Sequence, residues 1–178
     1  AKAKPGTLNY GSAGNASANH LATERFNYMT GTKMVHIPYK GGGPAVISVV
    51  SGETAILMAT IPSSIQHFAT GKLVPLGVSS LNRNAALPKL PTIAEAGVPG
   101  YEAIEWNGVL VPAGTPPAVI ARLHQAFAKS LSMPEVKERI VSLGADPVGN
   151  TPDEFAAFIR KELATWSKVI KEVGITVE

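Results

Sequence analysis

The chain has no cysteine, which excludes a disulfide framework, a thiol nucleophile and a cysteine-based zinc site. It is compatible with either cytoplasm or periplasm. No apolar run reaches about 18 residues, so no transmembrane helix is predicted. Charged residues are scarce, at 16% against about 25% in an average globular protein. The 45% hydrophobic content excludes disorder of the whole chain. The net charge is only +3 and aromatics are 6%. The basic residues are scattered and no aromatics interleave them, so no nucleic-acid groove is expected. A length of 178 residues suits one domain or two small ones. Glycine and proline, at 17 and 14, are what the chain has in quantity. They punctuate it as tight connections punctuate a compact α/β protein.

The segment Ala1 to Thr7 lacks the apolar core of a signal peptide. A secretion address was either removed or never part of this chain. Strands are predicted near 8–10, 34–39, 55–59 and 73–79, the last apolar enough for burial on both faces. Helices are predicted between them. The first, near 16–30, carries Ala18, Leu21, Ala22, Phe26 and Met29 on one face and ends at Gly31. In the second, Pro44 is expected at the first position and Val46, Ile47, Val49 and Val50 inside. The third starts at Pro62. This alternation predicts a parallel sheet covered by helices, with strand-to-helix loops at one edge, where open α/β sheets bind ligands. Beyond Ser80 the sequence predicts a proline-rich excursion with a short helix at 92–96, then a strand at 106–111. A helix follows with Thr115 as N-cap, and another starts at Ser132 and Pro134. A capping box at Thr151-Pro152-Asp153-Glu154 opens a long helix. Residues 175–177 suggest a terminal strand. The organisation read here is an α/β part over residues 1–112 and a mainly helical part over 113–178.

The strongest local feature is the loop formed by Gly11, Ser12, Ala13, Gly14, Asn15, Ala16 and Ser17. Small residues let backbone N–H groups face a ligand, and the following helix adds orphan donors and partial positive charge. A carboxylate or phosphate oxygen suits that environment; a plain capped turn is the alternative. It has neither a P-loop's Gly-Lys-Ser/Thr nor the spacing of a dinucleotide loop or nucleophile elbow. At the second turn, Lys40 either adds positive charge or is simply solvated. Tyr39 either lines a pocket or edges the core, and Gly41 completes that turn. At the third, Thr60 either bonds a ligand or caps its helix. The four histidines lack metal-site spacing; His20, one turn into the first helix, suits holding the loop in place. No cofactor and no metal site is implied. Neither Ser12 nor Ser17 has an evident base beside it, which argues against an anion-binding hydrolase or transferase.

Leu8-Asn9-Tyr10-Gly11-Ser12-Ala13-Gly14-Asn15, then His20-Leu21-Ala22, then Val35-His36-Ile37-Pro38-Tyr39-Lys40-Gly41 closely resemble the Bug (TctC-type) family. So do Leu90-Pro91-Thr92-Ile93-Ala94-Glu95-Ala96-Gly97-Val98-Pro99-Gly100, Pro112-Ala113-Gly114-Thr115-Pro116 and Gly149-Asn150-Thr151-Pro152. These are the extracytoplasmic receptors of tripartite tricarboxylate transporters. The resemblance implies a type II periplasmic-binding-protein fold, with a parallel-rich sheet flanked by helices and a mainly helical C-terminal part. It implies a periplasmic location and a small organic carboxylate as ligand: a dicarboxylate, an acidic amino acid or an aromatic acid. It implies membrane transporter subunits as partners, and no reaction catalysed. By this resemblance the loop at 11–17 is the second lobe's grip on the carboxylate, with Tyr39, Lys40 and Gly41 beside it.

Members of that family carry roughly a hundred further residues before the part matching Ala1. The chain is therefore expected to be a truncated receptor: the second lobe, lacking its first helix, plus the C-terminal part of the first. Phe155, Phe158 and Trp166 are then expected on uncovered faces, favouring a homo-oligomer or domain swap. Ala59 stands where many members carry Asp, which disfavours a cationic ligand group there. The alternative function is a metabolite-sensing or interaction module on the same fold without a transport role.

Overall fold

The computed structural model describes residues 1–175. Three strands, β1 (Asn9–Ser12), β2 (Val35–Pro38) and β3 (Ile56–Leu57), form a parallel sheet in the order β2-β1-β3. Tyr10 pairs with His36 on one side and Ile56 on the other, so β1 is central. Each strand feeds a helix: α1 (Ala18–Thr30), α2 (Gly42–Val50) and α3 (Ile61–Ala69). The crossover from β1 to β2 and that from β2 to β3 run in opposite directions across the sheet. Right-handed connections then place α1 and α2 on opposite faces. The side chains agree. Tyr10 stacks with His20 of α1 and His36 of β2. Gly11 faces the other way, where an added Cβ would lie 3.2 Å from Ser48 Oγ and 3.3 Å from Thr54 Oγ1. The glycine is what lets α2 and the turn after it sit so close to the sheet.

Helix α1 starts and stops as its sequence dictates. Ser17 is the N-cap and accepts from the His20 N–H, while Gly31 adopts φ 63° and its N–H reaches the Asn27 and Tyr28 carbonyls. Its buried face differs from the apolar stripe expected. Asn19, His20, Thr23 and Asn27 are buried with Ala22, whereas Ala18 and Met29 are exposed. The polar face goes inside because its groups find partners there. Asn19 Nδ2 donates to the Met58 carbonyl, Thr23 Oγ1 to the Asn19 carbonyl and Asn27 Nδ2 to Glu24.

Three further helices, α4 (Pro117–Ser132), α5 (Pro134–Ser142) and α6 (Pro152–Val173), each begin on a proline, whose missing N–H costs nothing there. The capping box at Thr151 and Glu154 is present. Helix α6 packs on α1. Around their junction Tyr101, fully buried, donates its hydroxyl to the Ala22 carbonyl at 2.8 Å. Ala103, Phe26, Met58, Ile93, Val98 and Trp166 complete this cluster.

Several expected elements are corrected. Residues 73–79 form no strand: Val78 alone bridges to Thr92, and Val74 and Leu76 are exposed. Pro75 removes a ladder donor in the middle of the segment. Residues 106–111 belong to no strand among the described residues. Trp106 packs edge-on against Phe155 and Phe158 of α6 instead, at 5.5 and 5.4 Å between centroids. Phe155, Phe158 and Trp166 are accordingly half-buried rather than bare. Residues 92–96 make a single turn, closed by reciprocal bonds between Thr92 and Glu95. Pro44 is the third residue of α2 because Gly42 and Gly43 already turn helically, and Ile47 points outward. Pro116 takes the cap position of α4, since Thr115 Oγ1 bonds back to the Pro112 carbonyl. Ser132 closes α4, and α5 starts at Pro134 after Met133. The strand expected at 175–177 falls on residues outside those described, apart from Ile175, which is in none.

Candidate functional site

The three turns that follow β1, β2 and β3 meet at the C-terminal edge of the sheet, with the first in the middle. The first and second are tied directly: Tyr39 N–H donates to the Ser12 carbonyl at 2.9 Å and Gly41 N–H to the Ala13 carbonyl at 3.1 Å. A side chain at Gly14, where φ is 134°, would meet the Tyr39 carbonyl at 3.4 Å. The third turn is tied to α1 through the bond from Asn19 to the Met58 carbonyl.

Within the first turn the residues divide into two groups. Gly11 and Ser12 belong to β1 and are buried. Ser12 Oγ is engaged inside, accepting from Gly14 N–H at 3.1 Å and sharing a 2.6 Å hydrogen bond with His36 Nε2. Ala13, Gly14, Ala16 and Ser17 are half-buried and Asn15 is exposed. Ser17 Oγ donates to the Gly14 carbonyl at 2.7 Å. Ala16 stands at φ 56°, a left-handed conformation that no other non-glycine among the described residues adopts. Its N–H donates to His20 Nδ1 at 3.0 Å. The Ala13 and Asn15 amides have no acceptor among the described residues. With the Ala18 and Asn19 amides of α1, the His20 amide being capped by Ser17, they form the unsatisfied donor set of this edge, at the positive end of a helix dipole.

The other expected residues stand around that set. Tyr39 is half-buried, and its hydroxyl is buried with no hydrogen-bond partner. Lys40 is exposed beside it. Thr60 sits at the start of α3, but its Oγ1 donates to Ser63 Oγ at 2.9 Å rather than capping a backbone N–H. Tyr39 and Gly41 are thus joined to the 11–17 loop, Lys40 is adjacent in sequence, and among the described residues no hydrogen bond joins Thr60 to the loop. An open groove lined by Ala118, Val119, Arg122, Leu123 and Ala126 lies along α4 and includes none of these residues.

Two histidines matter more than their spacing predicted. His20 and His36 stack face to face, with centroids 3.8 Å apart and planes 7° from parallel. Tyr10 stacks on His36 at 5.0 Å and donates to Glu24 Oε1. Burial pushes both imidazoles below the usual histidine range, and the neighbouring His20 pushes His36 further; Glu24 opposes this for both. Burial, then the Glu24 bond and charge, raise the Tyr10 phenol. The expectation that no base lies beside Ser12 is corrected, because His36 is in contact with it. The pair has no carboxylate to orient the imidazole: Glu24 bonds Tyr10 and Asn27 instead. Ser12 is also 0% exposed, so the arrangement lacks the access and the third member of a nucleophilic triad. Sequence spacing hid the contact because His20 and His36 lie on different elements. The contact follows from the strand register that pairs Tyr10 with His36, which only the structure gives.

Among the described residues no group of three or more metal-ligating side chains occurs, and no helix is long and apolar enough to cross a membrane. The chain is similar to Protein BugT of Bordetella pertussis, 36% identical over 173 residues, 97% of this chain and 53% of that one. It spans about half the length of most curated relatives it matches. The structure of R. palustris Rpa4515 with adipate superposes with a TM-score of 0.94 at 36% identity, covering 99% of this chain and 59% of that one. MatC from Rhodopseudomonas palustris with bound malate gives 0.85 at 27% identity, covering 93% and 57%. The family described as tripartite tricarboxylate transporter family receptor matches residues 1–175. This is a family of receptors rather than enzymes. The chain belongs to the tripartite tricarboxylate transporter receptor family, the TctC or Bug family.

Proposed function

We propose that the chain binds a small organic carboxylate at the edge formed by residues 11–17, 39–41 and Thr60, as part of a receptor serving a tripartite tricarboxylate-type transporter in the periplasm. The observation that carries this reading is the set of unpaired amides at Ala13 and Asn15, at the N-terminal end of α1. Anions are favoured there by oriented N–H donors without any buried countercharge. The buried, unpartnered hydroxyl of Tyr39 offers one more donor, and Lys40 adds long-range attraction. The adipate of R. palustris Rpa4515 and the malate bound to MatC are both dicarboxylates, which supports the same class here. Residues 1–112 correspond in this reading to the second lobe of a two-lobed receptor, and the helices beyond to part of the first.

The exposed apolar side chains of Val74, Leu76, Val109 and Leu110 lie on segments that belong to no strand among the described residues. Such segments favour pairing with further chain or with a second copy. A thermal-shift screen against mono-, di- and tricarboxylates, with light scattering on the same sample, tests both points. A dose-dependent rise in Tm with a dicarboxylate supports the site. No shift with any acid rejects binding by this chain. A monomeric mass rejects self-association.

A further inference from the structure

Deep to the candidate carboxylate turn lies a stack of three rings from three elements. Tyr10 of β1, His36 of β2 and His20 of α1 lie nearly parallel, the two imidazoles 3.8 Å apart. Each imidazole holds one part of the turn. His20 Nδ1 accepts from the Ala16 N–H, which stands in the left-handed region, and His36 Nε2 meets Ser12 Oγ, which in turn accepts from Gly14 N–H. An alanine in that conformation is strained, and it persists there only where its surroundings enforce it. The acceptor on His20 is what the structure supplies to enforce it.

We propose that His20 is a positioning residue for the ligand turn: its unprotonated Nδ1 holds Ala16 in place, and a proton taken up by the His20–His36 stack releases the turn and weakens ligand binding. The proposal rests on the carboxylate-binding reading only for its second half. The proton comes from solvent and goes to Nδ1, since Nε2 already carries one when Nδ1 of the neutral ring accepts. Protonated, Nδ1 becomes a donor facing the Ala16 N–H donor. Two cationic rings stacked at 3.8 Å also repel, which resists the second proton.

The titratable groups facing the stack are Glu24 from α1, which favours protonation, and Tyr10 from β1, which stays neutral and donates its O–H to Glu24. Lys40, after β2, is exposed. Burial of the rings outweighs Glu24, so the change falls below the ordinary histidine range.

The test is an NMR titration of the unliganded, labelled chain from about pH 8 to about pH 5, followed by adipate titrations across the same range. The expected result is an unprotonated His20 Nδ1 at neutral pH. Protection of the Ala16 amide from solvent exchange should then disappear with the His20 midpoint. Adipate affinity should fall below that midpoint by up to about tenfold per pH unit for one linked proton. The second carboxyl of adipate itself titrates toward the lower end of this pH range, so the His20→Asn chain supplies the ligand's own pH dependence for comparison. His20→Asn, whose Oδ1 accepts without titrating, should keep Ala16 protected and leave adipate affinity with only the ligand's own pH dependence across the histidine range. If His20→Asn does not fold, the wild-type comparison of Ala16 with His20 decides. An Ala16 amide whose protection ignores the His20 titration overturns the proposal, as does wild-type pH dependence in His20→Asn. If adipate fails to bind at any pH while Ala16 follows His20, the positioning role stands and the carboxylate reading falls.

Discussion

The Tyr10 hydroxyl donates a 2.5 Å hydrogen bond to Glu24 Oε1, joining the central strand to the second turn of α1 beneath the candidate site. Asn27 Nδ2 reaches the same oxygen at 3.1 Å. The glutamate thereby fixes the rotation of α1 on the sheet, and with it the direction in which the helix presents its N-terminus. Tyr10→Phe keeps the ring stack and removes only the O–H, leaving Asn27 as the carboxylate's remaining side-chain partner. The expected loss is about 1.5–3 kcal/mol of folding stability, the range for a hydrogen bond to a charged group. Urea unfolding at neutral pH measures it, and an unchanged midpoint would show that the bond contributes nothing.

Stability should depend on pH through the histidine stack. Both imidazoles are depressed below their unfolded value by burial. The unfolded chain therefore binds more protons than the folded one in that window. Stability is fully present above the unfolded histidine value of about 6.5 and is lost as pH falls through it toward the folded values. The melting temperature between about pH 8 and about pH 5 reports this. His36→Gln combined with His20→Asn should flatten the profile over the histidine window.

Gly108 is held by contact rather than by conformation. An added Cβ would fall 2.1 Å from Phe155 Cζ. Gly108→Ala must displace the Phe155 ring from its edge-on contact with Trp106. Overpacking of this kind costs about 1–3 kcal/mol. Trp106 fluorescence during denaturation reads both the local change and the stability.

Ser17 caps α1 and bonds the Gly14 carbonyl, so it shapes the turn as well as the helix. Ser17→Ala should cost about 1 kcal/mol of stability and weaken carboxylate binding. Lys40→Ala should leave stability unchanged, because the side chain is exposed. It should reduce both the affinity and its dependence on salt. Isothermal titration at two ionic strengths separates the two effects; unchanged affinity in both variants would remove this pair of turns from the site.

The β-turn-α rhythm at residues 8–70 was legible because glycine and proline mark each boundary, and β1, α1, β2, α2, β3 and α3 all occur. The loop at 11–17 was legible for the same reason. The buried face of α1 was not. Periodicity favours Leu21 and Met29, but Asn19 buries by bonding the distant Met58 carbonyl, while Thr23 and Asn27 bury because they satisfy themselves within α1, on the Asn19 carbonyl and Glu24. Residues 73–79 and 106–111 read as strands from composition, yet a strand needs a partner and the described chain gives neither one. The engagement of Ser12 with His36 depends on strand register, which no local pattern revealed.

The central claim is that the amide-lined edge at 13–17 binds a small dicarboxylate, and calorimetric titration of adipate into this chain at neutral pH and low salt tests it most directly. Saturable one-site binding that weakens with Ser17→Ala and leaves a folded protein in both cases is the predicted result. No heat of binding, together with Ala13 and Asn15 amide resonances that do not move on adding adipate, would contradict it.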